Sequence, residues 1–121
     1  MIHSYSIYYF IDKFDSDEIS NLNKKINLIY RNYQNLNFED DIKKIKDSPL
    51  SNDRKIYISN NIKIAIKYNL DGLYIPSFNS CLNYQNKSLR KNFDLIGSAH
   101  NLREIKIKEK QGCRLIFIAP V

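Results

Sequence analysis

His100, Arg31, Ser98 and Asp12 are the residues of this chain whose types and positions could do chemistry together. The sequence holds only two imidazoles, His3 and His100. An imidazole ordinarily titrates near neutrality, so it can both give and take a proton at cellular pH. His3 lies at the extreme N-terminus, where chains fray, and reads as a surface residue. His100 stands between an apolar run and a helix start, a junction suited to general acid–base work, with a hydrogen-bonded loop histidine as the equally weighted plain reading. Arg31 closes another apolar run. A guanidinium there could grip a phosphate through its forked N–H donors, or form an ion pair at a rim. Asp12, at the end of the first run, is the natural partner for such a pair. Ser98 offers a hydroxyl to a phosphate, or is a small residue chosen for packing. Cys81 and Cys113 have neither metal-ligand nor CxxC spacing and read as reduced thiols.

The elements that must carry these residues alternate in kind. Residues 5–11 are aromatic and β-branched and read as a strand. Its aromatics Tyr5, Tyr8, Tyr9 and Phe10 suit a ligand cage, but a buried strand uses the same residues, and core is the favoured reading. A helix is predicted over 16–26, on Ile19, Leu22 and Ile26, then a strand over 27–31. A second helix over 38–46 shows Phe38, Ile42 and Ile45 on one face and stops before Ser48-Pro49. A third strand covers 55–59, followed by a helix with Ile62, Ala65, Ile66 and Leu70 at helical spacing, and a fourth covers 72–75. The polar stretch 77–92 reads as loop with a weak helix. A fifth strand over 95–99 leads into Asn101-Leu102-Arg103-Glu104, a capping box in which Asn101 accepts from the first turn and Glu104 reaches back. That helix runs to Gly112, a natural C-cap, and a sixth strand covers 113–119. Strands alternating with helices imply right-handed βαβ units and a parallel sheet, either doubly wound or rolled toward a barrel. One domain spans 1–121.

Composition narrows the function classes. The chain is 43% hydrophobic and 26% charged, ordinary for a folded domain. The net charge of +6 invites nucleic acid, yet the lysines are dispersed (Lys13, Lys24, Lys43, Lys63, Lys87, Lys106) and leave no tract that would follow phosphates. No nucleic-acid partner is expected. No segment approaches the roughly 20 apolar residues of a membrane span, and no leader pattern opens the chain. A cytoplasmic location with no membrane partner is the expectation. With 3 glycines, no Gly-rich phosphate cradle is available to a nucleotide-binding fold.

Several segments resemble the thiamine-phosphate synthase / TenI family. Ile58-Ser59-Asn60-Asn61, followed by Ile62-Lys63-Ile64-Ala65 and Asp71-Gly72-Leu73-Tyr74-Ile75, is similar to the family's "INDRVDLA…ADGVHLG". Ile96-Gly97-Ser98-Ala99-His100-Asn101 resembles its "IGVSAHT/N", and Gly112-Cys113-Arg114-Leu115-Ile116-Phe117-Ile118-Ala119-Pro120 its "GADYIFLSPIF". Tyr9-Phe10-Ile11-Asp12 and Ile29-Tyr30-Arg31-Asn32-Tyr33 match "YLITD" and "QLREK" more weakly. The matches fall in family order over nearly the whole chain.

The resemblance implies a parallel (β/α) TIM-type barrel of about six strands with its site at their C-terminal ends, ending at Val121 before the last two βα units. A truncated or partial chain, a degenerate open barrel, or self-association through the open edge would each account for that. It implies a thiamine-biosynthesis function, the joining of hydroxymethylpyrimidine diphosphate to thiazole phosphate by a transferase using Mg²⁺. The family's two magnesium aspartates fall on Asn60 and Asn79, its "NDR" arginine on Asn61, and the lysine of "REK" on Tyr33. Neutral amides weaken a Mg²⁺ site, so no metal ligand is assigned and Mg²⁺ is expected only if synthase activity is retained. Asn60 and Asn79 join Arg31 and Ser98 as candidate substrate or phosphate contacts, with His100 as the candidate catalytic residue. The alternatives are a metal-independent, TenI-like thiazole tautomerase, or a non-catalytic protein that binds thiazole or thiamine phosphates. The partner in each case is a phosphorylated thiazole or pyrimidine.

Overall fold

The computed structural model describes residues 6–86 and 88–119, so His3, Tyr5 and Pro120 lie outside it. Six strands run in sequence order: β1 (Tyr8–Ile11), β2 (Asn27–Tyr30), β3 (Ile56–Ser59), β4 (Gly72–Ile75), β5 (Asp94–Ala99) and β6 (Leu115–Ile118). They form one all-parallel sheet ordered β1-β2-β3-β4-β5-β6. A doubly wound sheet reverses its order at a switch point, and this one does not. With right-handed crossovers, unbroken order puts every helix on the same face. The helices are α1 (Ser16–Ser20), α2 (Phe38–Asp47), α3 (Ile62–Lys67) and α4 (Leu102–Gln111).

Two cores lie on opposite sides of the sheet. Alternate strand residues such as Leu28, Tyr30, Ile56, Ile58, Leu73 and Ile75 face the helices and meet Ile19, Ile42, Ile45 and Ala65. The intervening residues Ile29, Tyr57, Tyr74 and Ile96 form a second cluster with Tyr8, Phe10, Leu115 and Phe117. All four residues of β2, β3 and β4 are buried, which is why those strands read as continuous apolar runs. The sheet curls around the second cluster until the rings of Tyr8 on β1 and Phe117 on β6 meet edge to face, centroids 5.3 Å apart. The chain is thus a curled half-barrel whose interior is filled mainly by aromatic rings. Tyr9, by contrast, points outward and donates to Glu18 Oε2 at 2.9 Å.

Asp94 closes the lower end of the interior. It accepts from Tyr57 Oη at 2.9 Å and from both Arg114 Nε and Nη2, with Lys55 Nζ at 3.4 Å. Burial pushes the Asp94 carboxyl up, but hydrogen bonds from Arg114 and Tyr57 and the charges of Arg114 and Lys55 outweigh it. The net effect holds it below the ordinary aspartate value.

Two elements differ from the sequence expectation. The helix expected over 16–26 ends at Ser20, leaving Leu22 and Ile26 in irregular backbone. The cause is Asn23, whose side chain accepts from Lys25 N–H and whose carbonyl accepts from Ile26 N–H, a local turn that competes with helix. The polar stretch 77–92 contains a single 3-10 turn, Asn83–Asn86, among the described residues.

Candidate active site

Strand alternation decides which side chains meet at the C-terminal ends of the strands. Ile29, Tyr74, Ile96 and Phe117 point into the half-barrel. Two residues further along each row come Arg31, Pro76, Ser98 and Ala119, and His100 extends the row of Ser98. These residues, together with Phe10, Tyr33, Ser77 and Phe78, line one cavity of about 370 Å³. Arg31, Ser98 and His100 therefore share a mouth.

Arg31 lies with its guanidinium carbon 4.1 Å from the centroid of the Phe10 ring. Stacking of this kind contributes about 0.5–1 kcal/mol at an exposed site and leaves the N–H edge free. Asp12 lines a shallow cleft beside Arg31, but no ion pair joins them among the described residues. Asp12 instead offers its backbone carbonyl to Asn32 Nδ2 at 2.8 Å. The rim ion pair allowed by the sequence is absent among the described residues, where the Arg31 guanidinium is found only against the Phe10 ring. Ser98 Oγ accepts from the Tyr74 hydroxyl at 2.7 Å, which leaves the serine's own proton for another acceptor.

His100 is tied to the first turn of α4. Its Nδ1 lies 3.1 Å from Glu104 Oε1, and the same oxygen accepts the His100 backbone N–H at 2.7 Å. Asn101 caps the helix as expected, its side chain accepting from Glu104 N–H at 2.9 Å. Glu104 reaches back one residue further than a standard capping box, to His100 in place of Asn101. That backbone hydrogen bond is the main cause holding the Glu104 carboxyl below its ordinary range; burial opposes it, and the ring contact and Lys108 add smaller lowering effects.

Asn60 and Asn79 come together beside the mouth. Asn79 Nδ2 donates to Asn60 Oδ1 at 2.6 Å and lies 2.9 Å from the Tyr84 hydroxyl. Asn60 has φ 62, a left-handed backbone that asparagine tolerates better than most residues. The Asn79 carbonyl accepts from Lys108 Nζ at 2.9 Å and Gln111 Nε2 at 2.8 Å, and both of those residues are fully buried. Burial lowers the Lys108 pKa. Asn61 caps α3 by accepting from Ile64 N–H at 3.1 Å. Asn60, Asn61 and Tyr33 line a second cavity of about 270 Å³. Tyr33 separates the two spaces, its hydroxyl 2.6 Å from Ser59 Oγ and its ring against Phe78, centroids 6.0 Å apart.

A Mg²⁺ ion at the amide pair would need hard, anionic oxygens. Asn60 Oδ1 already accepts from Asn79, and among the described residues no carboxylate is hydrogen-bonded to the pair. The described residues hold no group of three or more His, Cys, Asp or Glu suited to a metal. The donor set does not fit the ion.

Glu104 and Tyr74 are the residues that sequence reasoning missed as parts of the site. Glu104 was legible only as a cap, since His100 precedes the helix. Tyr74 was legible as a strand residue, and its parity with Pro76 is the signal that points it inward. No family model matches the chain, and no curated protein matches it. No helix among the described residues is long and apolar enough to cross a membrane.

Proposed function

We propose that this protein binds a small phosphorylated ring compound at the mouth of the half-barrel and moves a proton on it with His100, without a metal. The observation that carries the reading is the convergence of Arg31, Ser98 and His100 on one cavity. Arg31 would hold the phosphate through its free N–H edge, and Ser98 would donate to it. His100 would exchange a proton with a ring or side-chain carbon of the ligand. Within the family that the sequence resembles, this is the chemistry of a TenI-like thiazole tautomerase. The synthase reaction is the weaker branch. It requires charge neutralisation on departing pyrophosphate, and the Asn60–Asn79 pair supplies none.

A second reading, binding without turnover, is favoured by the openness of the mouth. Tyr33 and Phe78 at its rim are 56% and 68% exposed, which does little to exclude water.

Incubating the full chain with a thiazole phosphate carboxylate in EDTA, followed by proton NMR, tests the proposal. Isomerisation that is lost in His100→Ala while affinity is kept is the expected result. Thermal stabilisation without product would select the binding reading. Pyrophosphate release that requires Mg²⁺, on addition of a pyrimidine diphosphate, would overturn the metal-free account.

A further inference from the structure

Glu104 does not line the mouth, yet it makes the closest polar contacts to the ring that does. Its carboxylate is held from two sides. One oxygen, Oε1, receives the His100 backbone N–H at 2.7 Å and faces Nδ1 of the same residue at 3.1 Å. The Glu104 backbone N–H is in turn fixed by the Asn101 side chain. With the backbone contact made, the carboxylate cannot swing away from the ring without breaking its own cap. An ionised carboxylate can only accept, so the ring nitrogen facing it must carry a proton.

We infer that Glu104 is a positioning residue that holds His100 in its Nδ1–H form, leaving the Nε2 lone pair as the proton acceptor at the mouth. The second nitrogen of a histidine is set by the hydrogen bond the first one makes. A free neutral histidine side chain prefers the opposite form, with the proton on Nε2. The device therefore reverses the intrinsic preference, and that reversal can be observed without any ligand. The side chains of His100 and Glu104 are 40% and 20% exposed, so the pair sits at the surface end of the cavity, with the carboxylate the more sheltered partner. Two cations lie near the pair, Lys108 one turn along α4 and Arg31 lining the same mouth on the β2 side. Neither can accept a proton from Nδ1 in place of Glu104. The catalytic meaning of this arrangement rests on His100 being the proton carrier proposed above, but the arrangement itself does not.

The test is nitrogen-15 NMR of the imidazole rings in the ligand-free full chain, about two units above the ordinary imidazole pKa. In the wild type, His100 is expected to show a protonated Nδ1 and a bare Nε2. Glu104→Ala is expected to return the ring to the Nε2–H form. Glu104→Gln keeps a carbonyl acceptor for both N–H groups and is expected to preserve the wild-type pattern. A wild-type ring already mainly in the Nε2–H form overturns the inference without any variant, as does an Ala variant that leaves the pattern unchanged. Because no ligand is present, failure of phosphate to bind at the mouth would sink the proposed function and leave this result standing. Phosphate binding with the wrong tautomer would do the reverse.

Discussion

At the scale of single residues, Arg31 and the amide pair carry the sharpest expectations. Arg31→Ala removes forked, charge-assisted donors and is expected to weaken inorganic phosphate binding by roughly 10-fold or more, read by calorimetric titration. Arg31→Lys should recover only part of the loss, because a point charge lacks the fork. Changing Asn60→Asp and Asn79→Asp together would set two carboxylates where a 2.6 Å hydrogen bond now stands. The double variant is expected to melt at a lower temperature and to regain stability with millimolar Mg²⁺, whereas the wild-type melting temperature should ignore Mg²⁺. The sequence showed which residues were chemically able, and the resemblance implied a site at the C-terminal ends of the strands that carry them. It could not show that Asn60 and Asn79 satisfy each other, because that contact joins residues from separate loops. Nor could it show that Asp12 forms no ion pair with Arg31 among the described residues, since side-chain direction beyond a strand end follows no period.

At the scale of elements, the caps of α4 position His100. Asn101 accepts from Glu104 N–H, and Gly112 ends the helix at φ 95, in the left-handed region. Gly112→Ala is expected to cost about 1 kcal/mol in urea unfolding, and Asn101→Ala a similar amount. Asn101→Ala should also disturb the His100 resonances, as it frees the first turn that carries Glu104. Both caps were legible because capping depends on residue type at fixed offsets. The expected helix over 16–26 was read from Leu22 and Ile26, whose spacing fits a helix. The turn built by Asn23 overrides that spacing, and a local side-chain hydrogen bond of this kind is invisible to apolar periodicity.

At the scale of the whole molecule, the unbroken strand order and the aromatic interior make a half-barrel with its chemistry at one end and its anchor at the other. The Asp94 cluster is that anchor, binding β3, β5 and the residue before β6 through Tyr57 and Arg114. Its carboxyl is depressed in the folded state, so its stabilisation is complete above the unfolded value of about 3.9. It should be lost as pH falls through that value toward the lower folded one. Asp94→Asn is expected to cost about 1–3 kcal/mol at neutral pH and to flatten the acid limb of the stability curve, measured by urea unfolding from acid to neutral pH. The alternation of strands and helices was plain in the sequence, but periodicity left open a doubly wound or a rolled sheet, a choice that the unbroken strand order decides.

The account turns on the mouth being where a phosphate binds. Titrating the protein with inorganic phosphate and following backbone amide shifts tests that most directly. Saturable shifts centred on Arg31, Ser98 and His100, and greatly weakened in Arg31→Ala, are the predicted result. Shifts that gather on the outer basic face of α4, around Arg103 and Lys106, or no saturable response at all, would contradict it.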